Sequence, residues 1–157
     1  MEQNIHTRIT ESSIRTEEIP SLLNRPEHGA QIFFFGVVRN RNLGRAVITV
    51  SYDAFIPLVE VTFKQICEDA NLKWGPGLQL VLIHRIGQLA IGEVSVAIGV
   101  GAVHRNEAFQ ASRFIIENIK SRAPIWKKEF YEDGETEWLD GHALCGHTSE
   151  TLSEELS

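Results

Sequence analysis

Ala30-Gln31-Ile32-Phe33-Phe34-Phe35-Gly36-Val37-Val38-Arg39 is nearly continuous in apolar character and rich in aromatic and β-branched residues. Such a run fits a strand buried on both faces, because a strand with one wet face alternates polar and apolar side chains. Asn40-Arg41-Asn42-Leu43-Gly44 follows with turn chemistry, and Val47 to Tyr52 resumes strand character. The two strands are expected to pair as a hairpin around a polar, basic loop.

On the N-terminal side, Ile5, Thr7 and Ile9 repeat at period two and suggest a short strand. Thr16 is placed to cap a helical turn carrying Ile19, Leu22 and Leu23. On the C-terminal side, Pro57 suits the first turn of a helix whose Val59, Phe63, Ile66 and Ala70 share one face. Gly75-Pro76-Gly77 ends it. Leu78 to Ile86 and Glu93 to Val100 read as two strands joined across Gly87 to Gly92 and paired as a second hairpin. After His104-Arg105, the stripe Ala108, Ala111 or Ser112, Ile115 and Ile119 predicts a helix. It stops at about Ser121 to Ala123, because Pro124 disfavours helical geometry in the residue before it. The segment Trp126-Lys127-Lys128-Glu129-Phe130 suggests a last strand before Gly134.

The 157 residues, 43% of them hydrophobic, suffice for one domain with a real core, expected over residues 1–140. No apolar run is long enough to cross a bilayer, and the polar start lacks a secretion signal, so the expectation is a soluble, cytoplasmic protein without membrane contact. The net charge of −6 is unevenly distributed: from Glu132 onward there are eight acidic residues and no Lys or Arg, which leaves 15 basic against 13 acidic residues before it. An acidic tail, with residues 141–157 expected to be flexible, thus follows a mildly basic body. That balance argues against a nucleic-acid partner.

Cations stand at the ends of four predicted elements: Arg39, His104-Arg105, Lys120 and Lys127. Element ends are where a rigid scaffold displays functional groups, although any one such residue is more often a solvated charge. The cluster gains weight from four motifs. Phe34-Phe35-Gly36-Val37-Val38-Arg39-Asn40, His84-Arg85-Ile86-Gly87, Gly101-Ala102-Val103-His104-Arg105 and the segment from Ile119 to Glu129 (IKSRAPIWKKE) resemble, in order and spacing, the molybdopterin synthase large-subunit family.

The resemblance implies an α+β, hammerhead-type fold, with antiparallel strands packed by helices and a small additional β lobe. It implies a homodimer within a heterotetramer whose other component is a small ubiquitin-like sulfur carrier ending in a thiocarboxylate. The substrate would be cyclic pyranopterin monophosphate, with no tightly bound cofactor. On matching positions, Lys120 and Lys127 become the catalytic pair, and Val37, Val38, Arg39, His104, Arg105, Lys128 and Glu129 join them in substrate binding. The physical reading agrees with what the resemblance implies, because a phosphate and a thiocarboxylate both call for convergent cations. His84 is read as structural. The chain departs from the family at Tyr52-Asp53-Ala54-Phe55 and at Leu139-Asp140-Gly141-His142, so no basic contact is carried over to its tail.

Three other readings compete. A persulfide-carrying sulfurtransferase would use Cys67 or Cys145; Cys67, beside a helical core stripe, reads more readily as a structural thiol. His142, Cys145 and His147 have ligand chemistry for a metal but supply three donors in a Gly-rich acidic tail. A non-catalytic scaffold for a ubiquitin-like protein would have no use for both lysines.

Overall fold

The computed structural model describes residues 4–134 and 136–139. Its elements, in chain order, are β1 (Ile5–Thr10), a 3-10 helix (Thr16–Leu22), β2 (Ala30–Val37), β3 (Arg41–Asn42), β4 (Arg45–Ala54), α1 (Ile56–Trp74), β5 (Gln79–Arg85), β6 (Gly87–Ala90), β7 (Val94–Ala102), α2 (Arg105–Arg122), β8 (Ile125–Tyr131) and β9 (Thr136–Leu139). The strands make two open sheets, one ordered β1-β5-β7-β2, the other β3-β4-β8-β9 with β6 also on β4. This is the expected α+β arrangement, and the second sheet supplies the additional β lobe. Residues 141–157, the proposed flexible tail, lie outside the described residues.

β5 and β7, the inner strands of the first sheet, are covered on both faces, which explains their continuous apolar runs, whereas β2 lies at the sheet's edge and is not buried as its sequence suggested, with Phe34, Phe35 and Val37 exposed. On one face Leu80, Leu82, Val96, Ile98 and Val100 join Val59, Phe63, Ile66 and Ala70 of α1 and Ala108, Ala111, Ile115 and Ile119 of α2 in the main core. On the other face Val81, Ile83 and Ala97 pack with Ile14, Ile19 and Leu23 around the 3-10 helix. Arg15, not Thr16, occupies the position before that helix, and it makes no side-chain cap. Phe63 is completely buried, so truncating it to Ala is expected to cost about 3–5 kcal/mol.

The expected hairpin between the Phe-rich strand and Val47–Tyr52 does not form. β2 pairs along its length with β7, while β4 lies in the second sheet against β8 and β6. A register shift falls between Gly36 and Val37, the last residue of β2, which pairs with Val94. The chain beyond β2 is tied to the turn after β6, where Val38 N–H donates to the Glu93 carbonyl (2.9 Å) and Gly92 N–H to the Val38 carbonyl (2.8 Å). The turn residues instead close the small β3–β4 hairpin, with Asn42 opposite Arg45.

β5 and β7 pair antiparallel as expected, but their connection leaves the first sheet to contribute β6 to the second. Gly87 and Gly92, at φ 93° and 87°, bracket the excursion; most side chains are disfavoured there. The sheets therefore meet beside the ends of β2 and β5.

Candidate active site

α2 ends where Pro124 requires it: Ala123 is extended (φ −82°, ψ 128°), its N–H bonded to the Ile119 carbonyl. The chain reverses and enters β8 at Ile125. This turn lets Lys120, from the last helical turn, and Lys127, from the strand, line one cavity of about 320 Å³. Val37, Val38 and Arg39 line it from the end of β2, Arg41 from β3, Tyr52 from β4, His84 from β5 and Glu129 from β8. The volume is within the range of small-molecule sites.

Side chains alternate along β8, so Lys127, Glu129 and Tyr131 share a face. The Glu129 carboxylate, 2% exposed, lies 2.7 Å from the Lys127 ammonium. It also accepts a bond from Asn42 Nδ2 at 2.7 Å and a short one from the Tyr131 hydroxyl. Burial alone would raise the pKa of Glu129. The bonds from Lys127, Tyr131 and Asn42 outweigh it and hold the carboxyl below its ordinary range. For Tyr131, burial and the Glu129 bond both push the phenol up. The Arg45 guanidinium covers the Tyr131 ring at 3.6 Å and engages Asp133 at 2.8 Å. Lys127 is thus aimed by a buried, well-partnered carboxylate.

Deeper in the cavity the lining is neutral. His84 is 3% exposed and shares a T-shaped contact with Tyr52, at 5.1 Å between ring centroids. Its Nδ1 bonds the Arg85 carbonyl at 2.8 Å. Burial pushes the imidazole down to about 4, against that bond, which favours the charged form. Ser95 Oγ donates to the Gly36 carbonyl. A Cβ on Gly36 would meet Val96 Cγ1 at 2.6 Å, so only glycine fits this wall without displacement.

Three of the expected site residues do not join this cavity. Lys128 alternates to the opposite face of β8 from Lys127 and sits over the Phe130 ring at 5.2 Å. His104 and Arg105 are exposed at the start of α2, about 22 Å along the helix from Lys120 at 1.5 Å per residue. Arg41, Tyr52, Ser95 and His84 were not anticipated. Arg41 had been visible as part of a basic loop, and His84 as part of a motif, but neither carried a signal of depth.

Cys67 is completely buried, and burial followed by the nearby Glu68 charge pushes its thiol up to about 12. A persulfide carrier needs an accessible thiolate, so Cys67 does not suit that role. Cys145 and the trio His142, Cys145 and His147 lie outside the described residues. Among the described residues no group of three or more His, Cys, Asp or Glu side chains is placed to hold a metal, and no helix is long and apolar enough to cross a membrane.

The family model described as MoaE protein matches residues 9–122. The chain belongs to this family. Among its relatives, the molybdopterin synthase catalytic subunit of Synechococcus elongatus is 45% identical over 118 residues, spanning 75% of this chain and 72% of the relative. The Homo sapiens catalytic subunit is 35% identical over 127 residues, 81% of this chain and 67% of its own length. The crystal structure of molybdopterin synthase from Staphylococcus aureus superposes with a TM-score of 0.79 at 36% identity, covering 87% of this chain and 97% of that one. The MoaE match includes β2, both hairpin turns and all of α2, and stops at Arg122. Lys120 is therefore inside the matched span and Lys127 outside it.

Proposed function

We propose that the chain is a molybdopterin synthase catalytic subunit that transfers two sulfurs, from the C-terminal thiocarboxylate of a small ubiquitin-like carrier, to cyclic pyranopterin monophosphate. The observation that carries this reading is the convergence of Lys120, Lys127 and Arg39 on one ligand-sized cavity. Arg39 suits a phosphate, which it can engage with two donors. Lys120 and Lys127 hold the incoming thiocarboxylate and neutralise charge that develops as the cyclic phosphate opens. Glu129 fixes the direction of Lys127 instead of touching substrate. Val37 and Val38 provide wall, and no tightly bound cofactor is invoked. A protein complex from Helicobacter pylori, of subunits 1 and 2 of molybdopterin-converting factor, shares the fold at a TM-score of 0.67, in keeping with a separate sulfur carrier.

The remote position of His104 and Arg105 fits the same reading if the protein is a homodimer. A phosphate-binding role for these residues requires that they reach the cavity of a second copy, since their own lies a helix length away. Lys128, on the other face of β8, is assigned to the surface around the site. The direct test is incubation with thiocarboxylated carrier and cyclic pyranopterin monophosphate. Mass spectrometry should show the dithiolene product and carrier returned as carboxylate. Partner binding without product would favour the scaffold reading, and product lost on replacing both cysteines by Ser would favour the persulfide reading.

A further inference from the structure

His84 carries one polar atom that the fold does not use. A carbonyl oxygen can only accept, so the bond to Arg85 O fixes the proton on Nδ1 and leaves a lone pair on Nε2. The ring is 3% exposed, it lines the cavity, and no hydrogen bond to Nε2 exists among the described residues. Nε2 is not among the fully enclosed polar atoms that lack a partner, so it stays open to the cavity, where an arriving ligand can meet it. An acceptor kept in this way is suited to a donor that arrives with a ligand.

The lining sorts the groups a ligand must have. Arg39 and Lys120 are exposed, and Lys127 is half-buried, so anionic groups are met toward the mouth. His84, Tyr52 and Ser95 are buried, and a neutral imidazole offers nothing to an anion. The buried end therefore takes a neutral N–H donor. A pterin has such donors in its ring N–H and amino groups, at the end away from its phosphate. Resting on the function proposed above, we propose that His84 determines specificity by accepting, at Nε2, a hydrogen bond from an N–H of the pterin. The Tyr52 ring edge holds the imidazole plane.

Binding of cyclic pyranopterin monophosphate is measured by calorimetry on the wild-type chain, His84→Asn and His84→Gln, without carrier, with inorganic phosphate as a second probe. The shorter Asn amide can still donate to the Arg85 carbonyl but has no atom at the Nε2 position, whereas the Gln amide oxygen can reach it. His84→Asn should bind the pterin about tenfold more weakly, the factor carried by one ordinary hydrogen bond. His84→Gln should recover most of the loss, and phosphate affinity should be the same in all three. Unchanged pterin affinity in His84→Asn, or an equal loss for pterin and phosphate, would overturn the role of His84. If the wild-type chain itself does not bind the pterin, the proposed function fails and this inference with it. Should His84→Asn not fold, nitrogen NMR of the wild-type histidine decides: the Nε2 resonance must move on adding the pterin and not on adding phosphate, and an unmoved resonance overturns the assignment.

Discussion

Replacing Glu129 by Gln probes how Lys127 is held. The carboxylate accepts from Lys127, Asn42 and Tyr131, whereas an amide oxygen of the same shape can serve only one side and its NH2 must face a donor on the other. At least one charge-assisted bond is lost, at about 1.5–3 kcal/mol, partly offset because a charge no longer has to be buried. A net loss of about 1–2 kcal/mol corresponds, for a chain of this size, to a Tm lower by about 2–8 °C. Calorimetric unfolding of Glu129→Gln, Lys127→Met and the double variant gives the pair's coupling energy, expected at about 1.5–3 kcal/mol. A Tm within about 1 °C of the parent, or a coupling below about 0.5 kcal/mol as for exposed pairs, would refute the view that a buried carboxylate positions Lys127.

Three further expectations follow from the same geometry. Native protein treated with a thiol reagent at pH 8 should leave Cys67 unmodified until it unfolds, since the thiol is buried and pushed up to about 12; rapid labelling of Cys67 would contradict its structural role. Between pH 6.5 and about 4 the unfolded chain protonates His84 and the folded chain does not, so stability should fall with falling pH by up to about 3 kcal/mol. Glu129, whose folded value is also depressed, adds a loss below that window. Urea midpoints from pH 7 to 4.5 should show a slope that is reduced in His84→Asn, and a flat wild-type profile would count against it. Finally, Lys127→Ala and Arg105→Ala preparations, each inactive alone, should regain activity when subunits are exchanged between them. A mixed dimer then has one cavity with both defects and one with neither, and no recovery would mean that Arg105 does not serve a second copy's site.

The helices were legible because their signals are local. Pro57 and the Val59, Phe63, Ile66, Ala70 stripe fixed α1, and Pro124 fixed where α2 stops. That same proline made the convergence of Lys120 and Lys127 foreseeable. Strand partners were less so: nothing within the Phe-rich run says whether it pairs with β4, next in the chain, or with β7, some sixty residues away, since an apolar strand fits either. β6 was missed because four residues between two glycines look like a turn. The same limit applies to the site. Arg39 stood out as a charge at a strand end, but the depth of His84 depends on Tyr52 from another sheet. The resemblance grouped His104 and Arg105 with Lys120, although the helix predicted between them already sets them at its opposite ends, as α2 does.

The central claim is that Lys120 and Lys127 act together in one cavity on a thiocarboxylate and a pterin phosphate. Single-turnover reactions with preformed carrier thiocarboxylate, comparing the wild-type chain with Lys120→Ala, Lys127→Ala and Lys127→Arg, separate this chemistry from sulfur loading. Both Ala variants should lose about 100-fold or more in rate, the scale of removing one preorganised charge stabiliser, while still binding the carrier. Lys127→Arg should rescue poorly, because the larger guanidinium stays protonated and does not fit a point-charge position. Near-normal product formation in both Ala variants would contradict the account.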